Sequence, residues 1–161
     1  MRTDTEMYIS QKNYKITGRI NEESQSYKLV VILPSDNDGS RHMERFEELI
    51  NECAACENVN KNWEVIVLNH KNVDRTPEKN YISIYYADAI VIECSKKKPN
   101  IFYMLGLAHA SGRPVCACYL DSDDIEIPFN VHGRQSMTYS INSSKSQNVF
   151  KEDFIGWLNK L

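Results

Sequence analysis

Short runs of apolar residues alternate along the chain with stretches whose apolar residues recur at helical spacing, and this alternation constrains the fold more than any other feature. Leu29-Val30-Val31-Ile32-Leu33, halted by Pro34, contains no polar residue. A strand made from it has no side suited to water and must be covered on both faces. Trp63 to Leu68, Ala89 to Ile92 and Pro114 to Tyr119 follow the same pattern, with a weaker fifth strand expected at Ser136 to Tyr139. Between them Met43, Phe46, Leu49, Ile50, Cys53 and Ala54 form one apolar stripe at three- and four-residue intervals, which predicts a helix. Thr76-Pro77-Glu78 offers a capping hydroxyl, a first-turn proline and an acid at the positive helix end, so a short helix should run to Tyr86. Asn100 is the expected N-cap of a helix through Ala110, with Gly112 as its left-handed terminator. Ser146 is expected to open a last helix carrying Phe150, Phe154, Trp157, Leu158 and Leu161. Strands alternating with helices imply a parallel sheet between two helical layers, an α/β three-layer sandwich of five strands.

With 161 residues the chain has room for about one domain, expected over residues 28–161 behind a polar N-terminal extension of residues 1–27. That extension reads either as an added strand or as a flexible arm. Nineteen Lys and Arg against 22 Asp and Glu leave a net charge of −3, which argues against a nucleic-acid partner. No apolar run approaches the length of a membrane span, and Met1 to Glu6 is too acidic for a signal peptide. A cytoplasmic, membrane-free protein is the expectation. The five cysteines lie inside apolar segments, as buried reduced thiols would.

Open parallel sheets bind ligands beyond the carboxyl ends of their strands, where the strand order reverses. The first strand delivers Pro34, Ser35 and Asp36 to that edge, and the third delivers Glu93 and Ser95, followed by Lys96-Lys97-Lys98. The lysines read as a solvated turn or as neighbours of a bound phosphate. GxGxxG and GxxxxGK[ST] are both missing, which disfavours dinucleotide redox and P-loop hydrolysis. No zinc spacing occurs, and His42, His70, His109 and His132 form no ligand pattern, so all four read as structural or surface residues. Neither a metal nor a cofactor is expected.

The stretch from Ala87 to Val115, ADAIVIECSKKKPNIFYMLGLAHASGRPV, is the most informative. It resembles ADLVIADLTGRNPNVFYELGIAHALGKPV of nucleoside 2-deoxyribosyltransferase-like proteins, among them bacterial proteins described as TIR-like nucleotide-binding domains. Pro128 to Arg134 is similar to the family's PFDLRG, and Leu33-Pro34 to its first-strand MPF. The resemblance implies a flavodoxin-like α/β fold and a nucleoside, nucleotide or NAD-like ligand, often in a homo-oligomer. In active members the glutamate of FYELG attacks the anomeric carbon and expels the base, because a carboxylate stabilises the positive charge that develops on the sugar. Met104 stands at that position here, and a thioether carries no charge. Asp88 matches the aspartate of the AD pair, Glu93 the aspartate at the strand's end, Asn100 the asparagine of PN, and Asn130 the aspartate of PFD. Tyr103 belongs to the same matched segment and offers stacking or core surface.

Two functions follow as expectations. The first is a nucleoside or nucleotide-binding domain with impaired catalysis that works by recognition, in signalling or bacterial defence. The second is an active N-glycosidase or deoxyribosyltransferase in which Glu93, or an acid from a neighbouring subunit, replaces the missing glutamate. Glu93 also has a plainer role open to it, capping the helix that follows. A phospho-acceptor receiver domain would use the same sheet with Asp36, Asp38 and Glu93, but glutamate is a poor substitute for an acceptor aspartate.

Overall fold

The computed structural model describes residues 6–9, 12–15, 26–34, 41–69, 77–121 and 135–161. Near the amino terminus β1 (Glu6–Ile9) and β2 (Lys12–Lys15) form an antiparallel hairpin with Glu6 opposite Lys15. The polar extension therefore contains paired strands, which form a two-stranded sheet of their own.

The main sheet is built from β3 (Tyr27–Ile32), β4 (Trp63–Leu68), β5 (Ala89–Glu93), β6 (Val115–Leu120) and β7 (Ser136–Tyr139). Every pairing is parallel and the order is β4-β3-β5-β6-β7. Chain order reverses between β3 and β5, the switch point of a flavodoxin-like α/β fold. Leu29 to Ile32 and Ala89 to Glu93 are wholly buried, as expected of strands covered on both sides.

The covering helices are α1 (His42–Ala54), α2 (Pro77–Tyr86), α3 (Pro99–Ala110) and α4 (Ser144–Leu158). Side chains alternate along a strand, so each strand feeds two cores. Leu29, Val31, Ala89, Val91, Cys116 and Cys118 point to the α1–α4 side, where Phe46, Ile50, Phe150, Phe154 and Trp157 meet them. Val30, Ile32, Ile90, Ile92, Ala117 and Tyr119 point to the α2–α3 side, against Ile84, Ile101, Leu105 and Ala108. Removing each of these large side chains from water contributes roughly 1.5–3 kcal/mol.

Two helix starts differ from the sequence expectation. Lys98, in extended conformation, caps α3 and Pro99 takes its first position, so Asn100 is already helical. Proline suits that place because the first helical N–H has no partner within the helix. The last helix begins before Ser146: Ser143 is its N-cap, and the hydroxyl of Ser143 accepts from the Ser146 N–H at 3.3 Å. Gly112 does close α3 in left-handed conformation, at φ 72°. No helix among the described residues is long and apolar enough to cross a membrane.

Candidate functional site

At the carboxyl end of β5 the alternation of side chains sends Glu93 to the α1–α4 side, in register with Cys118 of β6. It is fully buried. Oε1 of Glu93 accepts from the Tyr139 hydroxyl at 3.0 Å and from the Ser95 N–H at 3.1 Å. It also accepts from the Ser95 hydroxyl, whose oxygen in turn receives the Leu120 N–H at 2.6 Å. Among the described residues Oε2 has no hydrogen-bond partner. All the donors therefore crowd one oxygen and leave the other bare.

The cluster extends to α1, where Nε2 of buried His42 contacts the Tyr139 hydroxyl. Tyr139 has one proton and gives it to Glu93, so its oxygen can only accept from the histidine; this requires the Nε2–H form of His42. Burial, followed by the charge and hydrogen bond of Glu93, holds the Tyr139 phenol well above its ordinary pKa. The tyrosine stays neutral and remains a donor.

On the opposite side of the sheet burial pushes the Cys94 thiol up to about 12, with the Glu93 charge adding to the effect. Burial likewise raises Tyr119. The Tyr119 hydroxyl is enclosed toward the carboxyl ends of β5 and β6, with the Cys94 thiol as its hydrogen-bonding neighbour. Thiols and phenols held protonated in this way are not nucleophiles.

From Glu93 the chain turns into α3 through Ser95 and Lys96, with the Lys97 N–H donating to the Cys94 carbonyl at 3.1 Å. Lys97 adopts φ 45°. That left-handed backbone costs a residue with a side chain about 1–2 kcal/mol. Lys97 and Lys98 are exposed. The first turn of α3 contains no acid and its N-cap makes no side-chain hydrogen bond. Helix dipole and lysines thus put positive potential at one place on the carboxyl edge.

The structure unites Glu93 with Ser95 and adds His42 and Tyr139, which the sequence reading had not singled out. Glu93 does not cap α3; the hydrogen bonds it accepts come from Ser95 and Tyr139, all on Oε1. Pro34 is buried just beyond β3, and Asn100 is exposed on the first turn of α3. Asp88 lies at the other end of β5, where its carboxylate accepts the Lys28 N–H at 2.9 Å and joins β5 to β3. Tyr103 is 57% exposed and turns to α2, its hydroxyl 2.9 Å from that of Tyr81. Met104 is half-buried against the α2–α3 core, so Met104 and Glu93 belong to opposite faces of the sheet. Ser35, Asp36 and Asn130 lie outside the described residues.

The missed pair left a partial trace. His42 precedes Phe46 and Ile50 by four and eight residues, which puts it on the buried stripe of α1 rather than on its wet side. Tyr139 had no comparable signal beyond ending a weak strand.

No protein-family model matches the chain, and no curated protein matches it. Among solved structures, an azoreductase from Bacillus anthracis str. Sterne aligns with 83% of this chain and 100% of its own, at 9% identity and a TM-score of 0.44. At that distance the likeness carries no functional inference.

Proposed function

We propose that the chain binds a nucleoside or nucleotide, NAD-like molecules included, at the carboxyl edge between β3 and β5, and that it acts by recognition and not by cleaving the N-glycosidic bond. The observation that carries this reading is Oε2 of Glu93, a buried acceptor that lacks a donor among the described residues, at the strand-order reversal. A carboxylate oxygen enclosed without a donor is costly, and a ribose hydroxyl would supply one. Lys97, Lys98 and the amino end of α3 suit a phosphate on the same ligand. The resemblance of Ala87 to Val115 to nucleoside 2-deoxyribosyltransferase-like proteins supports this choice of ligand class.

Two features speak against turnover. Met104, at the position of the family's nucleophile, has no charge to offer an oxocarbenium-like sugar. Glu93 accepts three hydrogen bonds on the sheet face away from Met104, and these hold its carboxyl group in place.

Titration calorimetry with deoxynucleosides, nucleoside monophosphates and NAD, paired with chromatography for released base or nicotinamide, tests the reading. Saturable binding of at least one class with no free base is expected, and Met104→Glu should then gain base release. Absence of binding by all three classes, or base release by the unaltered chain that Glu93→Gln abolishes, overturns it.

A further inference from the structure

Cys53-Ala54-Ala55-Cys56 places two thiols three residues apart where α1 ends. The Cys56 N–H donates to the Cys53 carbonyl at 3.2 Å, closing a tight turn. A turn of that kind brings its first and last Cα atoms within about 7 Å, and a disulfide needs about 4.4–6.8 Å. Asn159, just past α4, holds the following segment from outside: its Oδ1 accepts the Asn60 N–H at 2.9 Å and its Nδ2 donates to the Asn58 carbonyl at 2.9 Å. The two thiols differ in access. Cys53 is buried, whereas Cys56 is half-buried between exposed Ala55 and Glu57. Lys151 of α4 reaches Glu52 at 2.6 Å, and its ammonium interacts electrostatically with both sulfurs. Because α1 follows β3 and leads into β4, the pair lies toward the amino edge of the sheet, away from Glu93.

We infer that Cys53 and Cys56 form a redox-responsive dithiol, which closes to an intramolecular disulfide by exchange with a small-molecule disulfide. Of the five cysteines Cys56 alone is not buried, so it opens the exchange. Its thiolate attacks one sulfur of the small disulfide, that S–S bond breaks, and the first small thiol leaves a mixed disulfide on Cys56. Cys53 then attacks the Cys56 sulfur and the second small thiol leaves. Two protein thiols become one disulfide, one small disulfide becomes two thiols, and the two protons end on the departing thiols. Burial pushes the Cys53 thiol up to about 12, which keeps it out of the first step. The second step is intramolecular, and there proximity replaces concentration. The reduced pair also has no stabilised Cys53 thiolate to lose, which favours the disulfide. Cys116 and Cys118 supply a comparison within the same molecule: their sulfurs are 3.9 Å apart, but both are enclosed on β6, out of reach of a small disulfide.

Incubation of the full chain with oxidised glutathione at about pH 8, followed by acid quenching, unfolding, alkylation and peptide mapping by mass spectrometry, tests the pair. Circular dichroism before the quench establishes that the chain reacts folded. The unaltered chain should lose two hydrogens, with Cys53 joined to Cys56 and with Cys94, Cys116 and Cys118 all alkylated. Cys53→Ala should stop at a single glutathione on Cys56, and Cys56→Ala should take up glutathione at least about 100-fold more slowly than the unaltered chain. Five alkylated cysteines in the unaltered chain after a large excess of oxidised glutathione, an adduct that persists on Cys56 without ring closure, or a disulfide mapped to another pair overturns the inference. The map of the unaltered chain decides the matter alone should either variant fail to fold. Each result leaves the nucleotide reading untouched, because that is measured by calorimetry and base release.

Discussion

Glu93 takes Tyr139, the Ser95 N–H and the Ser95 hydroxyl on one oxygen, and this asymmetry makes Tyr139 a sensitive position. Hydrogen bonds to a charged group are worth about 1.5–3 kcal/mol net, against about 0.5–1.5 for neutral pairs. Tyr139→Phe should therefore lower stability by about 2 kcal/mol in the natural chain and by about 1 kcal/mol or less in a Glu93→Gln background. Urea unfolding of the two single variants and the double variant measures that coupling; equal losses in both backgrounds would show that the Tyr139 hydroxyl gains nothing from the Glu93 side chain. The cluster was only half legible in the sequence. Glu93 and Ser95 are neighbours on one strand end and could be read together, but Tyr139 joins them from 46 residues away and His42 lies 97 residues from Tyr139. Nothing local records such a meeting, because it arises only from strand order. Asp88 misleads for a related reason: its place in a motif cannot reveal that it lies at the amino end of β5, tied to the Lys28 N–H.

Helix ends show which local rules are decisive. At α3 the choice between Asn100 and Lys98 as N-cap goes to the lysine because Pro99 between them can only be the first helical residue. The Asn100 side chain, however suited to capping, arrives one position too late. At the other end Gly112 sits at φ 72° with open space around it. Gly112→Ala adds no collision, so its cost is purely that of the left-handed backbone, about 1 kcal/mol. Gly112→Asn should cost less, since asparagine tolerates that conformation better. Thermal melts of the two variants check the order, and an alanine variant as stable as the parent would refute the conformational account. At α4 Ser143, Ser144 and Ser146 all suit capping, and only the fold reveals that the Ser143 hydroxyl receives an N–H.

Seen whole, the sheet was the most legible part, since continuous apolar runs allow no arrangement but enclosure, and its five strands lie where those runs lie. Its enclosed acids give the protein a defined response to alkali. Burial pushes the thiols of Cys53 and Cys94 up to about 12, whereas unfolded cysteine ionises near 9.0. The folded chain thus keeps protons the unfolded chain has lost: stability is at full value below about pH 9 and falls as pH rises toward 12. Cys118 and Tyr139, raised by burial in the same direction, extend the loss upward. Urea midpoints between about pH 8 and 11 should decline steadily once pH passes 9, and a flat profile would refute the burial of these thiols. The same distance that hid the Glu93 cluster from the sequence also orders events during synthesis. A ribosome extrudes β5 well before β7, so the nascent sheet carries a carboxyl group whose phenol donor has not yet been made. Until Tyr139 emerges, closing the centre of the molecule would bury that acceptor short of a donor, which favours waiting for the final strand over premature compaction.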